Sequence, residues 1–272
     1  DHRCYVRAMS SRPADLTGRV ALVTGVSRPG QIAPATVRRL LDAGAAVVAT
    51  GWPPHDAEMP WGAGPVDLPI PVRRDDFEDP SAPAAVVDAV VAQYGRLDIV
   101  VATHARSSHS SLAAVDVDEL DRCWRVNVRS VVLLAQRLAE VHEPAPAERP
   151  PSGRMLWFTS GQHIEPMDDE IAYAVSKGAL HQMTASIDHA LARSRVVANC
   201  INPGPVDTGY ADATTREAIA TMFPDRRWGS PDDVANLVEF LVSDAGAWIR
   251  GQVLDTEGGF DRFAHHAPIT RD

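Results

Sequence analysis

From residue 19 to residue 255 the chain alternates short, β-branched apolar runs with longer stretches in which apolar side chains return every three or four positions. The first kind of run suits a strand buried on both faces, the second an amphipathic helix with one apolar stripe. The pattern predicts strands near 19–24, 46–50, 67–72, 97–102, 153–159, 196–201 and 252–255. Val37, Leu40 and Leu41 stand at i, i+3 and i+4 in the first helix, and Gly44 marks its C-terminal stop. Further helices are predicted over about 80–94, 116–141 and 173–192. A last helix opens at Ser230-Pro231, with serine as N-cap and proline at the first helical position. Strand–helix repetition of this kind specifies an α/β fold on a parallel sheet of about seven strands.

The alternation keeps one composition throughout, so residues 16–262 read as a single domain. Residues 1–15 read as an N-terminal arm, disordered or of upstream origin with Met9 as a candidate start, and residues 263–272 as a C-terminal tail. Three long loops stand out, at 52–65, 142–152 and 207–227; long ordered loops in such folds tend to be functional. At 272 residues and 45% hydrophobic the chain can bury a full core. A net charge of −10 speaks against nucleic acid or an anionic membrane as partner. The longest apolar runs fall far short of the roughly 20 residues a membrane span requires. Cys4, Cys123 and Cys200 have no metal-ligand spacing, so neither a zinc site nor a disulfide framework is expected. A reducing, cytoplasmic setting follows.

Candidate chemistry concentrates at one place. Of 26 lysines and arginines only Lys177 is a lysine, and it falls four residues after Tyr173. A compact ammonium whose pKa can shift has been kept where a guanidinium could not substitute. On a helix, positions i and i+4 share a face, so phenol and ammonium stand one turn apart, where the cation is expected to lower the phenol's pKa. Ser160 lies thirteen residues before Tyr173, and Asn127 sits in Arg125-Val126-Asn127-Val128-Arg129. The first strand runs into Gly25-Val26-Ser27-Arg28-Pro29-Gly30-Gln31-Ile32-Ala33 and then a helix, an arrangement that offers backbone N–H groups to a pyrophosphate.

Together with Asn202-Pro203-Gly204-Pro205-Val206-Asp207-Thr208 after the sixth strand, this set resembles the short-chain dehydrogenase/reductase superfamily over residues 16–260. The stretches 24–28, 52–61, 159–162 and 256–260 look like its 3-oxoacyl-carrier-protein reductase-like subgroup. The resemblance implies a Rossmann-type, doubly wound parallel sheet with helices on both faces. It implies hydride transfer between a nicotinamide and a ketone or secondary alcohol. Tyr173 would be the proton donor and acceptor, Ser160 the hydrogen-bond donor to the substrate oxygen, and Lys177 the holder of the ribose hydroxyls. Asn127, at an irregular point of its helix, would position a water for a proton relay. Cofactor contacts would fall on Gly25, Ser27, Arg28, Gly30, Ile32, Trp52, Asp76, Thr103, Pro203, Gly204, Val206 and Thr208, with Asp76 open to a helix-capping role instead. The position where NAD-preferring members carry an acid is Gly51, and Arg28 can pair with a 2′-phosphate, so NADP(H) is favoured over NAD(H).

Two departures bear on this assignment. Gln31 replaces the glycine that lets backbone approach the pyrophosphate, unless the turn is remodelled around Gly30. His104 and Arg106 add bulk after the fourth strand, His104 being either a structural hydrogen-bonding residue or a catalyst. The alternative they support is a cofactor-impaired member acting as a ligand-binding or non-redox protein. Substrate contacts are expected from His163, Met167, Tyr210, Met222 and Phe223, which suit a small-molecule carbonyl or alcohol. Arg122, Arg125 and Arg129 could form a landing patch for an acyl carrier protein or lie in the interface of a homotetramer or dimer.

Overall fold

A computed structural model of the chain describes residues 14–261; the arm and the tail fall largely outside them. The chain winds β1 (Val20–Thr24), α1 (Ile32–Asp42), β2 (Ala46–Gly51), α2 (Pro53–Glu58), β3 (Val72–Arg74), α3 (Ala82–Tyr94) and β4 (Ile99–Ala102). It continues through α4 (Val117–Cys123), a π-helical turn (Trp124–Arg129), α5 (Ser130–Val141), β5 (Gly153–Phe158) and α6 (Ile171–Leu191). β6 (Val196–Asn202), α7 (Ala213–Ala220), α8 (Pro231–Val242) and β7 (Val253–Asp255) complete it. All seven strands pair in parallel in the order β3-β2-β1-β4-β5-β6-β7, the expected Rossmann-type sheet.

Alternation along each strand feeds two cores. Val20 and Leu22 join Val86, Val87, Val90, Leu134, Leu138 and Trp157 on one face. Ala21 and Val23 join Val37, Leu40, Val234, Val238 and Leu241 on the other. α3, α5 and α6 therefore cover one face and α1 and α8 the opposite one.

Three elements differ from expectation for local reasons. β3 spans Val72–Arg74, not 67–72, because Pro69 and Pro71 remove ladder donors. The loop expected at 52–65 contains α2, which begins with Pro53 at its N-terminus and carries Asp56 in its first turn. The loop expected at 207–227 contains α7, capped by Asp212 accepting from the Thr215 N–H at 2.7 Å. At α8 the predicted serine cap is a full capping box with Asp233. Among the described residues, Cys123 and Cys200 are free and buried, and no helix is long and apolar enough to cross a membrane.

Candidate active site

In an open parallel sheet, ligands sit beyond the C-terminal strand ends where the strand order reverses, which here is between β1 and β4. A cavity of about 530 Å³ opens there and runs from the glycine turn after β1 to Ser160 and Tyr173. That lies within the range of small-molecule and cofactor sites, about 300–1,000 Å³.

At the end away from the glycine turn, Tyr173 and Lys177 lie one turn apart on α6, with the ammonium 5.4 Å from the phenol ring centre. Ser160, just after β5, hydrogen-bonds the tyrosine side chain. Lys177 is 3% exposed and donates to the Phe158 carbonyl at 2.8 Å. Burial pulls its pKa down to about 8. The phenol moves the other way from the sequence expectation. Burial, aided by the charge of Glu170, pushes Tyr173 above the ordinary range, and the bond from Ser160 opposes this only in part.

Asn127 is fully buried in the π-helical turn, a distortion that recurs at functional sites. Its Oδ1 accepts from the Arg106 N–H at 2.6 Å, and its Nδ2 donates to the Arg106 carbonyl at 3.1 Å and to the Ser176 hydroxyl at 2.8 Å. The side chain thus clamps the loop after β4 to α6. His104 is held between Thr24 at 2.6 Å and Ser130 at 2.7 Å, and burial takes its pKa to about 3. It is a neutral structural residue.

The glycine turn is tight against its neighbours. A Cβ on Gly25, at φ +79°, would lie 2.7 Å from the backbone nitrogen of His104. Gly51 is dictated by space: a Cβ there would lie 1.8 Å from the Val26 carbonyl oxygen. Gly30 adopts φ +76° and lies beside Thr208 in a second, outer groove, while Ile32 opens α1 and packs into the core. Gln31 folds back into the turn. Its Oε1 accepts from the backbone N–H of Ser27 at 3.2 Å and of Arg28 at 3.0 Å, and from the Ser27 hydroxyl at 3.4 Å. These are the donors that such a turn presents to a phosphate.

Beyond the turn, α2 closes the cavity. Asp56 is buried, accepts from Ser27 Oγ and from Trp61 Nε1 at 2.8 Å, and lies 3.3 Å from the Arg28 guanidinium. Arg28 also donates to the Thr208 carbonyl at 2.6 Å and stacks over Trp61 at 5.5 Å. An acid absent at Gly51 thus stands five residues later on α2, engaged with Arg28, Ser27 and Trp61. His55 accepts from the Ser107 N–H at 3.0 Å, and burial together with Arg106 lowers its pKa.

Of the other expected contacts, Trp52, Thr103, Thr208, Met167 and Tyr210 line the cavity. Asp76 does not: it caps its own turn by accepting from the Glu78 N–H at 2.9 Å, and Asp75, bound to Thr50 at 2.6 Å, faces the cavity in its place. Gly204 packs against residue 257, Val206 is buried in a bridge to Gly229, and Pro203 precedes them outside the lining. His163 stacks on His181 at 4.6 Å, and Phe223 is buried against Phe260 with Met222 beside it, so these three also lie off the cavity. Arg122 and Arg125 turn their guanidinium groups to Glu78, and Arg129 donates to the Glu78 carbonyl; they are not an open basic patch. Sequence reasoning missed His55, Asp56, Trp61, His109 and Glu170 as lining residues. The proline pair at 53–54 followed by an acid was the available signal for α2.

The chain is similar to known proteins in sequence and in fold. The family model described as Enoyl-(Acyl carrier protein) reductase matches residues 25–261. The uncharacterized oxidoreductase YjdA of Bacillus subtilis is 32% identical over 247 residues, covering 90% of this chain and 97% of that protein. A short-chain dehydrogenase/reductase from Serratia marcescens superposes with a TM-score of 0.76 at 28% identity, covering 91% of this chain and 99% of that one. A short-chain dehydrogenase from Burkholderia cenocepacia in complex with NADP superposes with a TM-score of 0.75 at 30% identity, covering 90% and 98%. With the family model spanning the sheet from the glycine turn to the end of β7, and with relatives matched over nearly their whole length, the chain belongs to the short-chain dehydrogenase/reductase superfamily of oxidoreductases.

Proposed function

We propose that the protein is an NADP(H)-dependent oxidoreductase interconverting a small ketone and its secondary alcohol in the cytoplasm. The observation that carries this reading is the Tyr173–Lys177 pair, its ammonium buried, with Ser160 at one end of a cavity whose other end is the glycine turn. Gly25, Ser27, Arg28, Trp52, Asp75, Thr103 and Thr208 would hold the dinucleotide, whose nicotinamide supplies or accepts the hydride. Tyr173 holds the proton that passes to or from the substrate oxygen, and Ser160 donates to that same oxygen as charge develops on it. Lys177 spends one of three N–H donors on Phe158, which leaves donor capacity for a ligand's hydroxyls. Asn127 is given a positioning role here, through the Arg106 peptide and Ser176, in place of the water-holding role expected from sequence. Arg28 supports the choice of NADP(H), as does the NADP complex of the Burkholderia protein. A panel of aldehydes and ketones, assayed with NADPH and NADH through loss of reduced-nicotinamide absorbance, tests the proposal. Turnover with NADPH is expected.

One observation favours a second reading, a ligand-binding or non-redox protein with impaired cofactor binding: Gln31 occupies the turn's phosphate donors. Thermal shift separates the two. A dinucleotide at 100 times its Kd should stabilise by about 2.7 kcal/mol, whereas the impaired protein would show none.

A further inference from the structure

Five carboxylates line the main cavity, on Asp56, Glu58, Asp75, Glu78 and Glu170, against three arginines, Arg28, Arg106 and Arg122. Each arginine is already ion-paired: Arg28 with Asp56 at 3.3 Å, Arg106 with Glu119 at 2.9 Å, and Arg122 with Glu78 at 2.9 Å. Glu170 immediately precedes α6 and so sits at the catalytic end, sharing the lining with Ser160, Tyr173, Met167, Tyr210 and His109. Its Oε1 faces His109 Nδ1 at 3.2 Å, and its charge acts on the phenols of both Tyr173 and Tyr210. An acceptor therefore shares the cavity wall with Ser160 and Tyr173, while each of the three arginines that line the cavity is already committed to a carboxylate.

We infer that Glu170 is a specificity-determining residue, which accepts a hydrogen bond from a hydroxyl next to the reacting carbon and repels a carboxylate there, so that the substrates are uncharged hydroxyketones or the corresponding diols. This rests on the oxidoreductase reading. A site whose acceptor is placed for a substrate hydroxyl favours the hydroxylated substrate over an analogue that lacks it, because only the former gains that hydrogen bond. A carboxylate in the same place meets a like charge.

The test uses three aryl ketones of nearly equal size: 2-hydroxyacetophenone, propiophenone and phenylglyoxylate. In the wild-type protein kcat/KM should fall in that order, by about tenfold at the first step and about tenfold again at the second. Glu170→Gln should raise phenylglyoxylate relative to propiophenone by about tenfold, and Glu170→Leu should erase the preference for the hydroxyketone. The inference is overturned if turnover occurs, is lost in Tyr173→Phe, and shows the same three ratios in wild type, Glu170→Gln and Glu170→Leu. It is also overturned if wild type reduces phenylglyoxylate as well as the hydroxyketone. Absence of turnover for every ketone with either cofactor would overturn the oxidoreductase reading along with it.

Discussion

The ammonium of Lys177 is buried and the phenol of Tyr173 half-buried at the cavity wall, and desolvation acts on them in opposite directions, lowering one pKa to about 8 and raising the other. For Lys177 this makes folding pH-dependent with a definite sign. Its unfolded value is 10.5, so between about pH 8 and 10.5 the unfolded chain binds more protons than the folded one, and this group's contribution to stability rises with pH. Below pH 8 the full destabilisation is present. Lys177→Met should therefore stabilise the cofactor-free protein at pH 7 by about 1–3 kcal/mol, the gain shrinking toward pH 10.5, as read by denaturant titration at both pH values. A stability loss at pH 7 would show that the bond to Phe158 outweighs the buried charge. The pair itself was legible in the sequence because i and i+4 spacing on one helix needs no tertiary information. The direction of Tyr173's shift was not legible, since it depends on how much water the surrounding elements exclude and on Glu170.

Gln31, at the N-cap of α1, places a neutral amide oxygen where a helix N-terminus would otherwise present open N–H groups. A pyrophosphate bound at those N–H groups would have to displace it. Gln31→Gly should tighten NADPH by about 1–2 kcal/mol, or roughly 5–30-fold, as measured by fluorescence titration. Unchanged affinity would mean that the side chain leaves the turn freely. The pairing of α2 with the same turn sets a second expectation: Asp56→Asn releases the Arg28 charge and should raise the preference for NADPH over NADH by about tenfold, while Arg28→Ala narrows it. Equal changes for both cofactors would assign Arg28 to the pyrophosphate or the fold. Strands and long helices were legible because their periodicity is local, and β3 was misplaced where two prolines interrupt an apolar run. Asp56 could not be assigned to the cavity from sequence, because only the folding of α2 back over the turn brings it beside Arg28.

Across the whole molecule, Leu120, Trp124, Val132 and Val175 are exposed on the adjoining α4, π-helical, α5 and α6 segments. Exposed apolar side chains clustered on neighbouring helices suit a symmetric interface between copies. A homo-oligomer is expected in sedimentation analysis, with Trp124→Glu and Val175→Glu shifting it toward smaller species; a wild-type monomer would refute it. The parallel α/β sheet follows from the βα alternation and its Rossmann type from the family resemblance, whereas the cavity's charge pattern comes from side chains far apart in the chain and emerges only on folding. The central claim is that the pocket between β1 and β4 is a working redox site in which Tyr173 moves the proton. Its most direct test is kcat for Tyr173→Phe beside wild type on the best ketone of the panel, with cofactor affinity measured in parallel. The account predicts a loss of about 100-fold or more at unchanged NADPH affinity, the usual weight of a general acid. A variant within about threefold of wild type, set against that weight, would contradict it.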